Sequence, residues 1–205
     1  MKKLKSVLAV FFAFIFLLLL CSCGAKQEDE TDNVAVETTE NVTESATDEY
    51  EGKETIIAYF AYDELSKKAA ESLSEKLDGA AVYAIETVNG YSDNEQERAA
   101  TAKKELEENA RPILKNGIKT LKDCVALILI TPMWEENLPM AVYTFAGDFD
   151  FRDRAVITVC TSGSAEKCDA LVNDLFSGSL MLDTVTINSE EDFEMMYSAV
   201  EEGLY

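Results

Sequence analysis

The run Val125-Ala-Leu-Ile-Leu-Ile130 offers no polar position at all, so the element it forms must be covered by protein on every side. A continuous Leu and β-branched run of this length suits the centre of a parallel sheet with helices on both faces, although periodicity alone leaves a buried helix open. Thr131-Pro132 decides for the strand, because proline pushes the residue before it toward extended geometry. The loop that follows leaves the carboxyl end of a central strand, where open α/β sheets place their ligands. That loop carries Trp134, the single tryptophan of the chain.

The flanking sequence repeats a βα rhythm. Thr55 to Phe60 is a β-rich run, and Glu64 to Leu77 places Leu65, Ala69, Leu73 and Leu77 at helical spacing. Gly79 ends that helix, Ala81 to Ile85 makes a second strand, and a polar loop from Glu86 to Asn94 follows. Glu95 to Asn109, rich in Ala, Glu, Lys and Arg, reads as a surface helix closed by Pro112. Beyond the central strand come a helix over 138–147, a strand over 154–160, a helix over 166–176, a fifth strand over 180–187 and a last helix over 193–202 introduced by a Ser189 cap. Five alternating βα units predict one α/β domain over residues 55–205: a three-layer, doubly wound, five-stranded parallel sheet with right-handed crossovers.

Ahead of this domain, Lys2, Lys3 and Lys5 precede fourteen apolar residues, Val7 to Leu20, a basic start and an apolar stretch too short to span a bilayer comfortably. Residues 1–22 read as a secretory signal. Leu20-Cys21-Ser22-Cys23-Gly24 resembles the bacterial lipoprotein cleavage box, which makes Cys23, behind the small Ser22, the cysteine to receive acyl chains such as palmitate. The alternative is an uncleaved N-terminal anchor. From Gly24 to Glu54 there are eleven acids, two lysines and no Phe, Leu or Ile, a composition that cannot bury enough surface to fold. Residues 23–54 are therefore expected to be a disordered acidic tether with a span of roughly 30 Å. It would hold the domain on the extracytoplasmic face of a bacterial cell membrane, with the lipid as the only membrane contact.

Acidic residues outnumber basic ones 39 to 18, and the net charge of -21 speaks against nucleic acid or anionic lipid as a broad-surface partner. The chain has no histidine, which excludes Ser-His and Cys-His nucleophilic catalysis and His-ligated zinc or haem.

The order of elements, the segment Glu108-Asn-Ala-Arg-Pro112 and its flanks from Ala102 to Asn116, and the pairing of Thr131-Pro-Met-Trp134 with Leu138-Pro139 together resemble the flavodoxins. The resemblance covers Thr55 to Tyr205. It implies strand order 2-1-3-4-5 and FMN held by three loops, here Ala61 to Ser66, Thr131 to Asn137 and Thr161 to Ser164. By that resemblance the binding residues are Ser66, Thr131, Pro132, Met133, Trp134, Asn137, Thr161, Ser162, Gly163 and Ser164. The implied function is electron transfer to a redox partner protein, or reduction of a small-molecule acceptor.

Two of the loops keep the family's character. Trp134 offers a planar ring for stacking, though packing alone is an equal account of it, and Thr161-Ser-Gly-Ser164 offers hydroxyls and backbone N–H groups. Glu135 and Glu136 depart from the family pattern, and carboxylates beside a ring that becomes anionic on reduction would lower its potential. The first loop departs furthest. Flavodoxins place Ser or Thr at its first, third and sixth positions and Gly at its fourth, where this chain has Ala61, Asp63, Ser66 and Glu64. A phosphate of nearly two charges set ~5 Å from a carboxylate is opposed by about 2 to 4 kcal/mol at an effective dielectric of ~40 to 80. Asp63 is equally explained as the N-cap of the helix that begins at Glu64.

Cys124, Cys160 and Cys168 have no C-x-x-C spacing and read as buried small hydrophobes, with a Cys160–Cys168 disulfide open to an exported domain. Two functions remain. One is a tethered FMN protein, and the other is an interaction module on the same scaffold that has lost the cofactor.

Overall fold

The computed structural model describes residues 54–116, 121–134 and 136–205. The signal-like run, Cys23, the tether up to residue 53 and Glu135 lie outside the described residues. In chain order the elements are β1 (Thr55–Phe60), α1 (Glu64–Lys76), β2 (Ala81–Ile85), α2 (Glu95–Glu107), β3 (Ala126–Thr131), α3 (Met140–Asp148), β4 (Ala155–Cys160), α4 (Ala165–Leu175), β5 (Leu180–Met181), β6 (Val185–Thr186) and α5 (Phe193–Leu204). All pairings are parallel and the order is β2-β1-β3-β4-β5, with β6 also on β4. This is the doubly wound parallel sheet that the βα alternation predicts, in the 2-1-3-4-5 order that the resemblance implies.

Strand β3 is buried at every position, and its Leu127, Ile128, Leu129 and Ile130 are wholly inaccessible. Each such side chain contributes about 1.5 to 3 kcal/mol on burial. The alternation of the strand divides the core in two. Leu127 and Leu129 join Ile56, Phe60, Tyr83 and Val156 beneath α3 and α4, whereas Ile128 and Ile130 join Ile57, Ile157 and Val159 beneath α1 and α5. Helix α2 buries only Ala102, as a surface helix should.

Two expectations need correcting. Val125 was expected inside the central strand, but it is 58% exposed: its backbone bridges Glu54 and Ala155, while its side chain sits beyond the end of the covering layers. The fifth strand is two short pieces rather than one over 180–187. Leu182 and Ile187 still donate to Val156 and Cys160, but the ladder opens between them, where Thr184 turns aside to donate to Asp169 of α4 at 2.9 Å. Cys160 and Cys168, read from sequence as buried small residues with a disulfide left open, are buried free thiols. They meet through a hydrogen bond that, with burial, pushes the Cys168 thiol up, and Cys160 also donates to the Ser162 carbonyl at 2.9 Å. Both are buried, and the hydrogen bond from Cys168 holds the Cys160 thiol below its usual range.

Among the described residues two buried hydroxyls of the sheet, those of Thr158 and Thr186, have no hydrogen-bond partner. Thr158 of β4 is completely buried on the face of Val156 and Cys160, and its hydroxyl makes no hydrogen bond. An unsatisfied buried hydroxyl destabilises, and valine has nearly the same shape without it. Thr158→Val should therefore raise stability by about 1 kcal/mol, read as a higher urea midpoint at unchanged slope. A lower midpoint would show that the hydroxyl is satisfied in solution.

Candidate functional site

The carboxyl ends of β1, β2 and β3 converge on a cluster of aromatic rings. Phe60, the last residue of β1, meets Trp134 edge to face at 4.7 Å, and Tyr91 from the loop after β2 meets Trp134 at 5.0 Å and 90°. Tyr62 packs against Phe60 at 5.4 Å and Tyr91 at 4.9 Å. Edge-to-face pairs at these separations are favourable beyond their buried area. The hydroxyls lock the rings in place. Tyr62 Oη donates to the Thr87 carbonyl at 3.1 Å and accepts from the Thr87 N–H at 3.0 Å, tying the first loop to the second. Tyr91 donates to Glu105 of α2 at 2.9 Å. Burial, together with the adjacent carboxylate, holds the Tyr91 phenol well above its usual range, and burial also raises Glu105.

Two cavities open beside this cluster. One, of about 250 Å³, lies between Trp134 with Met133 and the face of α2 that carries Glu95, Arg98, Ala99 and Ala102. The other, of about 260 Å³, is bounded by Tyr62, Glu64, Tyr91, Asp93 and again Arg98. Arg98 stands between them. Its guanidinium donates to the Ser92 and Asp93 carbonyls at 3.2 and 3.4 Å and lies 5.9 Å from the Trp134 ring centre.

The start of α1 is arranged differently from the usual anion site. Asp63 Oδ2 accepts from the Ser66 N–H at 2.8 Å, from the Ser66 hydroxyl at 2.6 Å and from the Thr161 hydroxyl at 2.7 Å. Asp63 is thus the N-cap of α1, and it also bridges the loop after β1 to the loop after β4. The two hydroxyl oxygens lie 3.1 Å apart, but each has a single proton and both point to the carboxylate. One N–H of the helix start and the two nearby hydroxyls, donors that a bound phosphate would use, are here taken by the chain's own acid.

The sequence-predicted site residues fall into three groups. Met133 and Trp134 line a cavity. Ser66 and Thr161 are committed to Asp63. The rest shape the loops: the Thr131 hydroxyl donates to the carbonyl of the buried Pro132 at 3.1 Å, and Asn137 Oδ1 accepts from the Leu138 N–H at 2.8 Å and from Tyr143 at 2.6 Å. Ser162 accepts from the Met133 N–H at 3.2 Å, and Ser164 caps α4. Glu136 is turned outward at φ +61 and paired with Lys167 at 2.7 Å, an ion pair that lowers its pKa and offsets the charge expected to bear on a ring. The sequence reading missed Tyr62, Tyr91 and Arg98. Their signal was an aromatic in each of the first two loops and an arginine one helical turn into α2.

For FMN, the group the resemblance implies, the two ends of the site give opposite answers. The ring end fits a planar heterocycle, with an aromatic platform, a thioether and an adjoining cavity. The phosphate end does not fit, because Asp63 fills the nest and Glu64 stands beside it.

Gly163 fixes how the loops after β3 and β4 meet. It has φ +91, and a Cβ there would fall 2.8 Å from Met133 Sδ and 2.9 Å from Met133 Cβ. Gly79 has φ +84 with open space around the same position. Gly79→Ala should lower stability by about 1 kcal/mol, from the backbone alone. Gly163→Ala should cost more than that, because Met133 must also move, and denaturant midpoints of the pair test it. Equal losses would mean that Met133 yields freely.

A sequence model of the family described as flavodoxin matches residues 54–198. No curated protein is significantly similar in sequence. Among solved structures, a flavoprotein in complex with FMN from Lactobacillus acidophilus NCFM superposes with a TM-score of 0.62 at 15% identity, over 75% of this chain and 99% of that one. A Bacteroides uniformis protein described as a flavoprotein gives 0.61 at 22% identity, over 72% and 99%. At such identities the structures agree in fold alone, but the family match spans most of the described domain and runs through every loop of the site: the chain belongs to the flavodoxin family.

Proposed function

We propose that the domain binds a flavin in the cavity beside Trp134 and serves in electron transfer to a partner protein or in reduction of a small acceptor. The observation that carries this reading is the aromatic cluster at the carboxyl ends of β1 to β3, with a cavity opening against Trp134 and Met133. Family membership supports it, as does the FMN complex formed by the structurally similar Lactobacillus acidophilus protein. FMN is the flavin the family implies. A bound flavin supplies reversible one- and two-electron chemistry, and the protein supplies position and electrostatics. Trp134 and Met133 offer the ring a face, Phe60 and Tyr91 hold Trp134 upright, and Arg98 places the nearest cation.

A second reading is favoured by one observation. The nest at α1 is satisfied by Asp63 without a ligand, as it would be in an interaction module that has dispensed with the cofactor.

Since Trp134 is the only tryptophan, its emission reports on the site directly. Titrating the full chain with flavin should quench both Trp134 and the flavin. Trp134→Ala should weaken binding at least tenfold, or about 1.4 kcal/mol, and Trp134→Phe by less. Absence of quenching with any flavin would reject this reading in favour of the interaction module.

The location is part of the proposal. Among the described residues no helix is long and apolar enough to cross a membrane. Lipid on Cys23, with residues 24–54 as tether, would hold the domain at the outer face of a bacterial cytoplasmic membrane, and more than one acyl chain gives stable anchoring. Cys23→Ala should release the chain from the membrane fraction or leave a longer, unprocessed form. Unchanged partition and mass would reject the anchor.

A further inference from the structure

We infer that the site is selective for a flavin whose side chain ends in hydroxyls, riboflavin, over the phosphorylated FMN; the inference rests on the flavin reading above. Its basis is the charge already built into the phosphate end. Asp63 accepts the Ser66 N–H and both nearby hydroxyl protons, those of Ser66 and Thr161, at 2.6 to 2.8 Å. A phosphate brought to the start of α1 meets a carboxylate where the open donors should be, and it can only accept hydrogen bonds. The rest of the lining repeats the bias. Glu64, Asp93 and Glu95 border the two cavities against Arg98 as their one cation, and Arg98 is engaged with the Ser92 and Asp93 carbonyls.

A polyol is suited to the same surroundings. Its hydroxyls can both donate and accept and carry no charge to be repelled. Discrimination then comes from a repulsive element set against the wrong ligand as much as from contacts to the right one. The helix loses nothing by the arrangement, because Asp is among the best N-caps.

The test is a titration of the full chain in detergent with riboflavin and, separately, with FMN, each followed by flavin fluorescence at low and high salt. Riboflavin should bind at least tenfold tighter than FMN. FMN binding should tighten as salt rises, through screening of like charges, and riboflavin binding should not. Asp63→Asn keeps the capping oxygen and removes the charge. It should tighten FMN at least tenfold and move riboflavin less than threefold, the latter also showing that the variant is folded. FMN binding as tight as riboflavin in the wild type, or unchanged in Asp63→Asn, overturns the selectivity while the flavin reading stands. Failure of both flavins to bind overturns the flavin reading and the selectivity with it.

Discussion

Strand β3 constrains everything else in the domain, because a strand that is apolar up to its last residue, Thr131, and buried throughout can exist only inside two covering layers. Parallel neighbours on both sides satisfy its backbone, from Glu54 and β1 on one edge to β4 on the other. Parallel pairing forces crossover helices, and helices on both faces force the sheet to be wound in two directions from its first strand. The switch between β1 and β3 then leaves a crevice at their carboxyl ends. The position of the site is thus a consequence of burying six residues, before any residue of the site has been considered.

Inside that crevice a single carboxylate does two jobs that are separate in most helix-start sites. Asp63 accepts one orphan N–H of α1, that of Ser66, and by accepting from Thr161 it ties the β1 loop to the β4 loop. Capping alone needs only the Ser66 N–H. The second and third donors make the arrangement an anion site occupied by a side chain. This is why the same residue read equally well from sequence as an N-cap and as an obstacle to phosphate: both are true, and they share one oxygen atom.

The fold was legible because its signals are local and redundant. The β3 run, the caps at Asp63 and Ser189 and the proline after Thr131 each act over a few residues, and all agree with the fold observed. Where the outcome depended on what lies across space, the sequence was silent. Val125 belongs to the same apolar run as Ala126, and only the ends of the covering helices decide that one is exposed and the other buried. The break in the fifth strand depends on Asp169, a residue of α4 rather than of the strand. At the site, the three loops were identified from sequence, but the role of each residue within them was not. Ser66 and Thr161 looked like open hydroxyls, and their engagement by Asp63 needs the β1 and β4 loops brought together. Tyr91 and Arg98 lay in segments that read as polar loop and surface helix, since their importance comes from facing Trp134.

The two ends of the site are built from different chain segments, and this explains how one can change without the other. The ring end draws on the loop after β2, the loop after β3 and α2, through Tyr91, Trp134 and Arg98. The phosphate end draws on the loops after β1 and β4, through Asp63, Ser66 and Thr161. Aromatic contacts hold the first and hydrogen bonds to a carboxylate hold the second, with Tyr62 and the Met133–Ser162 contact joining them. In a site that depends on ligand phosphate to gather its loops, binding energy is partly spent on ordering them. Here the chain's own anion has gathered them beforehand, so a ligand at this site gains from stacking on Trp134 and has no loop left to organise. Pre-organisation without an anchoring charge favours a ligand held by stacking over one held through its phosphate.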